Sequence, residues 1–205
     1  MQSIAYPVGE NLYLNITNRC TNECTFCIRN KVRDFNQKYE LWLEKEPSVE
    51  EIMAAIGDPK RYPQIVFCGY GEPLIRLDVV KEVASAIRSL APGPPPLIRI
   101  DTNGTANLFW GKNILPELKG LVDALSISLN AQNAGLYNKV CLPALGDKSY
   151  EAVLDFIKEA KKYIPEVEAS VVALPGIDIE ACRQIAENLE AKFRVRTYYE
   201  EKYVK

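Results

Sequence analysis

Leu12-Tyr-Leu-Asn-Ile16 followed by Thr17-Asn-Arg-Cys20-Thr-Asn-Glu-Cys24-Thr-Phe-Cys27 is the stretch on which the reading of this chain turns. Its first five residues show the apolar alternation of a short strand. Its end carries three thiols, Cys20, Cys24 and Cys27, spaced C-x3-C-x2-C. The thiols therefore lie on the loop that leaves the strand's C-terminal end. Cysteine spacing this short lets one loop wrap a metal or iron–sulfur centre. Structural zinc and ordinary clusters usually take four protein ligands. Three ligands in one loop, with no obvious fourth nearby, suggest a centre with one position left open, and an open position is where chemistry can happen.

Composition narrows the setting. The 205 residues suffice for one domain with a full core, taken as residues 1–205. At 47% hydrophobic and 25% charged residues the chain reads as an ordinary globular protein. It has no apolar run long enough to span a bilayer, so no membrane is expected as a partner. The N-terminus lacks the basic and apolar regions of a signal peptide, and the expected compartment is the cytoplasm. A net charge of −2 gives no global basic field, so nucleic acid is not an expected partner. Six Cys in such a setting argue for metal or redox chemistry rather than a disulfide framework. The chain has no His, which excludes His-dependent acid–base catalysis, Ser-His-Asp and Cys-His nucleophiles, and any His-ligated metal.

Six short apolar runs alternate with helical segments. The strands are expected at 12–16, 64–68, 97–100, 124–130, 168–174 and 193–199. Helices are expected from a capping box at Ser48 and Glu51, over 77–90, weakly over 113–120, over 149–163 and over 178–191. Pro92 to Pro96 reads as a stiff loop. The alternation predicts an α/β fold of parallel strands with right-handed crossovers. Six units cannot close the usual eight-fold barrel, so an open, partial (β/α)6 barrel is expected, with functional residues at the strands' C-terminal ends.

The remaining candidates fall at those ends. Gly71-Glu72-Pro73 follows the second strand, where glycine allows close backbone approach and a fixed carboxylate can hold an ammonium group. Asp101 and Asn103 share a face at the end of the third strand, in a segment whose Asn-Gly also reads as a plain turn. Ser126, Ser128 and Asn130 alternate with Leu125, Ile127 and Leu129, so one face of that strand is polar and needs partners. Leu174 and Pro175 close the fifth strand. Cys68 and Cys182 read as packing thiols. Cys141 follows the fourth strand on the same side as the motifs, as a candidate redox participant, hydrogen-atom donor or substrate contact.

Taken in order, C-x3-C-x2-C with Phe26 before its last Cys, Gly71-Glu72-Pro73, Asp101-Thr102-Asn103-Gly104 and Ser126-Ile-Ser-Leu-Asn130 resemble the radical S-adenosylmethionine (SAM) superfamily. Tyr70 departs from the family's first glycine. The resemblance implies that Cys20, Cys24 and Cys27 hold a 4Fe-4S cluster whose open iron is chelated by SAM. It further implies that Glu72 meets the SAM amino group. Asp101, Asn103, Ser126, Ser128 and Asn130 would then face its carboxylate and ribose, and Phe26 and Leu174 would flank the adenine. The implied chemistry is reductive cleavage of SAM to a 5′-deoxyadenosyl radical that abstracts hydrogen from a substrate, with ferredoxin or flavodoxin as electron donor.

Within the superfamily, Cys27-Ile-Arg-Asn30, Leu41 to Pro47 and Leu129-Asn-Ala-Gln132 through Tyr137 to Pro143 most resemble the proteins associated with TatD-type hydrolases. That implies a functional link to such a hydrolase and leaves the substrate open. Two other readings of the thiols stand beside it: a cluster-bearing redox sensor or electron-transfer module, and a zinc-binding structural protein using Cys68 or Cys141 as its fourth ligand.

Overall fold

The computed structural model describes residues 2–90 and 93–198. Pro92, at the start of the expected stiff loop, and Tyr199, at the end of the last expected strand, lie outside them. The chain begins with a hairpin of β1 (Ala5–Val8) and β2 (Asn11–Leu14), turned at Gly9, whose φ of 61° suits a residue without Cβ. After the cysteine loop come two short strands, β3 (Asp34–Phe35) and β4 (Tyr39–Glu40), which pair with each other. Then α1 (Val49–Ile56), β5 (Gln64–Phe67), α2 (Leu77–Ser89), β6 (Leu97–Thr102), α3 (Ala106–Trp110) and β7 (Ala124–Ser128) follow. The chain closes with α4 (Ala134–Cys141), α5 (Ser149–Ala160), β8 (Glu166–Val172), α6 (Ile179–Asn188) and β9 (Lys192–Arg196).

The main sheet has seven strands in the order β1-β2-β5-β6-β7-β8-β9. All neighbours from β2 to β9 are parallel; β1 alone is antiparallel. The six parallel strands are those expected from sequence. Among the described residues no pairing joins the edge strands β9 and β1, so the sheet is open. It nevertheless curls. The guanidinium of Arg196 on β9 lies within electrostatic reach of Asp101 on β6 and of Cys68 at the end of β5. Four strand spacings of a flat sheet would put β5 and β9 about 19 Å apart.

Apolar side chains decide which face turns outward. Leu12 and Leu14, Ile65 and Phe67, Ile98 and Ile100, and Leu125 and Ile127 are buried against the helices, together with Phe156 and Ile157 of α5. Each such burial stabilises by roughly 1.5–3 kcal/mol. The alternate residues are left to the inner face, and many are polar, among them Tyr13, Arg99, Asp101, Ser126 and Ser128. The Ser48–Glu51 capping box forms in both directions, at 3.2 and 2.9 Å. The weak helix expected over 113–120 is instead a single 3₁₀ turn at Leu115–Leu118, and the short α3 that precedes it was not expected. β8 begins two residues earlier than expected, because Ala169 to Val172 are buried on both faces and leave no period to fix the ends. β1 and α4 were not expected at all.

The segment before α1 is held as a strap. Leu41 and Leu43 are buried. Asn18 Nδ2 donates to the Leu43 carbonyl (2.7 Å) and Asn18 Oδ1 accepts from the Leu43 N–H (3.0 Å). Buried Asn15 donates from Nδ2 to the Leu41 carbonyl (2.7 Å) and accepts the Tyr70 N–H at Oδ1 (3.2 Å). Asn15→Leu leaves both backbone groups unpaired and is expected to cost about 2–4 kcal/mol. Urea denaturation checks the cost, and limited proteolysis checks that cleavage within residues 30–47 accelerates.

Candidate active site

The cysteine loop is framed on three sides. On the first, α4 ends against it. The last carbonyls of a helix lack intrahelical partners, and here the loop supplies them. Thr25 N–H donates to the Val140 carbonyl (2.9 Å), and Glu23 N–H to those of Cys141 (3.1 Å) and Leu142 (3.2 Å). Leu142 takes a left-handed φ of 44° to stop the helix there. Asn22 Nδ2 donates to the buried Tyr137 hydroxyl (3.0 Å).

On the second side stands the end of β6. Asn103 Nδ2 donates to Thr21 Oγ1 (2.7 Å) and to Cys20 Sγ (3.7 Å). Thr105 hydrogen-bonds Thr21 hydroxyl to hydroxyl at 2.7 Å. On the third side Arg29 reaches back under the loop, donating to the carbonyls of Asn18 (3.1 Å), Asn22 (3.3 Å) and Tyr70 (3.4 Å).

The turn after β5 presses against the entry of this loop. A Cβ on Gly71 would sit 2.4 Å from the Thr17 carbonyl oxygen and 2.5 Å from that of Arg19. Glu72 N–H donates to the Arg19 carbonyl at 2.8 Å. The Glu72 carboxyl is buried and accepts from Thr102 Oγ1 (2.7 Å), Asn103 N–H (2.7 Å) and Leu74 N–H (3.1 Å). Burial pushes its pKa up to about 7 against the pull of these donors. A carboxylate has about four acceptor positions, so one remains. Tyr70, buried beside the turn, donates its hydroxyl to the Val32 carbonyl (2.6 Å) and ties the β3–β4 hairpin to the site.

The three thiols are part-exposed. Burial and the Glu72 charge push Cys20 up to about 12. The Cys141 thiol, with burial, pushes Cys24 well above the ordinary range. Burial raises Cys27. All three hold their protons until a metal displaces them. A set of three soft thiolates suits an iron–sulfur group. Amide donors directed at Cys20 Sγ, the Asn22 N–H at 3.5 Å and Asn103 Nδ2 at 3.7 Å, are hydrogen bonds to a ligating sulfur of the kind that tunes such a group.

The inner face continues below the loop. Arg99 pairs with Asp101 (2.9 Å) and donates to the Tyr13 hydroxyl (3.1 Å). Ser126 Oγ donates to Glu168 (2.8 Å). Arg196 Nη2 donates to Ser128 Oγ (3.1 Å) and Asn130 Oδ1 (3.2 Å). Asn130 holds a left-handed φ of 60° and turns its other amide atom, Nδ2, toward Cys141 Sγ (3.6 Å).

The expected residues thus separate into groups. Gly71, Glu72 and Asn103 meet the cysteine loop, and Pro73 is buried at the start of the 3₁₀ turn that follows Glu72. Ser126, Ser128, Asn130 and Asp101 line the inner face. Phe26 and Leu174 are part-buried against the main core. Cys141 is fully buried behind Cys24, and Cys182 is buried in α6. Cys68 is not the apolar packing thiol expected: it is part-exposed and lies beside Asp101, which with burial raises its pKa. Thr105 and Arg196 were not expected; Thr102 stood within the Asp-Thr-Asn-Gly segment, and Arg29 and Tyr137 stood only within the segments that carry the family resemblance.

The sequence model of the radical SAM superfamily matches residues 14–189, from the end of β2 to the end of α6. The chain belongs to the radical SAM superfamily. A protein of Thermococcus kodakarensis named probable GTP 3′,8-cyclase is 28% identical over 171 residues, 82% of this chain and 49% of that protein. One of the same name from Methanocaldococcus jannaschii is 28% identical over 203 residues, 92% of this chain and 62% of that protein. The chain thus spans only about half to three-fifths of the curated relatives it matches. Among solved structures it resembles SuiB of Streptococcus suis (TM-score 0.63, 14% identity, 96% of this chain and 41% of that one). It also resembles a radical SAM methyltransferase of Sphaerobacter thermophilus (TM-score 0.60, 14% identity, 94% and 68%). At such identity these likenesses concern the fold. No helix of the described residues is long and apolar enough to cross a membrane.

This radical SAM domain makes two local predictions. Gly71→Ala drives a methyl into two backbone carbonyls and is expected to destabilise by at least about 2 kcal/mol in urea denaturation. The second concerns Glu72 in the metal-free protein. Its folded carboxyl keeps a proton that the unfolded chain loses near pH 4.5, so the native state binds more protons between about pH 4.5 and 7. Stability therefore falls as pH rises through that window, by roughly 3 kcal/mol, and stays lower above it. Denaturation at pH 5 and pH 8 is expected to show that fall in the wild type and its loss in Glu72→Gln.

Proposed function

We propose that this chain is a radical SAM enzyme in which the thiolates of Cys20, Cys24 and Cys27 hold a 4Fe-4S cluster with one iron left open for SAM. The observation that carries the reading is the junction of Glu72 with the cysteine loop: a buried carboxylate with a free acceptor position is joined through Asn103 to Cys20, the first of the three thiols. When bound, the cluster and SAM supply reductive cleavage of the sulfonium to methionine and a 5′-deoxyadenosyl radical, which abstracts hydrogen from the substrate.

The chain's own residues bind and orient. Glu72 accepts the SAM ammonium at its remaining position, and the arriving positive charge favours the ionised carboxylate. Asn103 holds Cys20 and Thr21 in place and faces the SAM carboxylate. Ser128 and Asn130 offer a hydroxyl and an amide to the ribose. Ser126 and Asp101, deeper and already engaged, set the polarity beneath. Phe26 and Leu174 present apolar surface for the adenine. Cys141, shut behind Cys24, supports the loop from below.

An external one-electron donor, ferredoxin or flavodoxin, reduces the cluster. The resemblance to TatD-associated proteins supports a functional link to such a hydrolase. The two relatives named for GTP 3′,8-cyclase activity make GTP the first substrate to test.

Anaerobic reconstitution with iron and sulfide, then dithionite and SAM with and without GTP, tests the reading through 5′-deoxyadenosine. The wild type is expected to form it. Cys20→Ala is expected to lose it, and Glu72→Ala to lose at least tenfold in SAM affinity. An iron-loaded, reduced protein that neither binds nor cleaves SAM would instead be a redox sensor or electron-transfer module. A colourless protein holding one zinc would be the structural alternative.

A further inference from the structure

Charges on the inner face are paired, with one exception. Arg99 is matched by Asp101 at 2.9 Å, Arg194 by Glu168 at 3.6 Å, and Lys192 by Glu166 at 2.9 Å. Arg196, at the C-terminal end of β9, has no carboxylate in ion-pair range among the described residues. Its guanidinium is held by neutral oxygens alone, Ser128 Oγ at 3.1 Å and Asn130 Oδ1 at 3.2 Å, both bound to the same Nη2. Its Nε is shut off from solvent and has no hydrogen-bond partner. Asp101 is near enough for its charge to act on Arg196, but both its oxygens are taken by Arg99, at 2.9 and 3.4 Å.

A desolvated cation with an orphaned N–H is costly unless something completes it. With both Nη2 hydrogens taken, the N–H donors left are those of Nη1 and the buried Nε, and the group that best satisfies a guanidinium's donors is an oxyanion. Backbone and side chain hold this guanidinium in place: the Arg196 carbonyl accepts from Ala173 N–H at 2.9 Å, and Nη2 is bound to Ser128 and Asn130 at the end of β7. The guanidinium lies beside the cysteine loop: Asn130, which accepts from its Nη2, donates from Nδ2 to Cys141 Sγ at 3.6 Å, behind Cys24.

We propose that Arg196 is the substrate-anchoring residue of this site and takes an anionic group, a carboxylate or phosphate, of the molecule that reacts beside the cysteine loop. The inference rests on the radical SAM reading and narrows it to substrates carrying such a group. Ser128 and Asn130 then serve twice, toward the ribose and as positioning residues for Arg196.

The test uses the reconstituted, SAM-loaded protein under anaerobic conditions. Isothermal titration measures binding of pyrophosphate and citrate, as phosphate and carboxylate probes, and of SAM itself. Wild type is expected to bind at least one probe, Arg196→Gln to lose at least about tenfold in that affinity, and Arg196→Lys to keep part of it. SAM affinity is expected to stay within about twofold in both variants. Three outcomes overturn the proposal. The wild type binds neither probe; Arg196→Gln keeps the probe but loses SAM, making Arg196 an anchor for the SAM carboxylate; or it keeps the probe while the cluster's reduction potential falls, making Arg196 a counter-charge to the thiolates. A wild type that fails to bind SAM at all would defeat the underlying reading, which separates that failure from failure of the anchor.

Discussion

The contact on which this structure depends is a backbone against a backbone. Gly71 lies so close to the carbonyls of Thr17 and Arg19 that no side chain fits between them. That approach brings the Glu72 N–H onto the Arg19 carbonyl and seats the Glu72 carboxyl under Thr102 and Asn103. Asn103 in turn reaches Thr21 and Cys20. One missing Cβ thus joins the ends of β2, β5 and β6 into a single network. A buried network of this kind stabilises only when its members are satisfied, which explains why Glu72 holds three donors before any ligand arrives.

A division of labour across the sheet follows from strand periodicity. Outward residues are apolar and seal against the helices, while at the loop end of the sheet Tyr137 and Cys141 join that same core and carry the cysteine loop on it. Inward residues are free to be polar, and curling of the sheet brings strands that are remote in the order to face one another. Arg196 and Asp101 share an environment for that reason, three strands apart. The helices contribute at their ends. The carbonyls of α4 that have no helical partner are those that hold the cysteine loop, so the loop's shape is set by the point at which α4 stops.

Much of this could be read locally. The cysteine spacing, the Gly-Glu-Pro turn, the capping box and the six apolar runs are each written in a few adjacent residues. What escaped the sequence is tertiary. α4 was hidden because Ala134–Cys141 is short and buries only Tyr137 and Cys141. β1 is four residues with one buried side chain, and its meaning comes only from pairing with β2. Nothing next to Arg196 marks it as inward; its partners lie 66 and 68 residues earlier. Cys68 was misjudged because strand phase was read as apolar packing on a face that proves polar.

The central claim is that three thiolates hold a cluster with one distinct iron open to SAM. Mössbauer spectroscopy of protein reconstituted with ⁵⁷Fe, recorded with and without SAM, tests it most directly. The account predicts a four-iron cluster in which a single iron changes its parameters when SAM is added while the other three keep theirs. Four irons indifferent to SAM would contradict it.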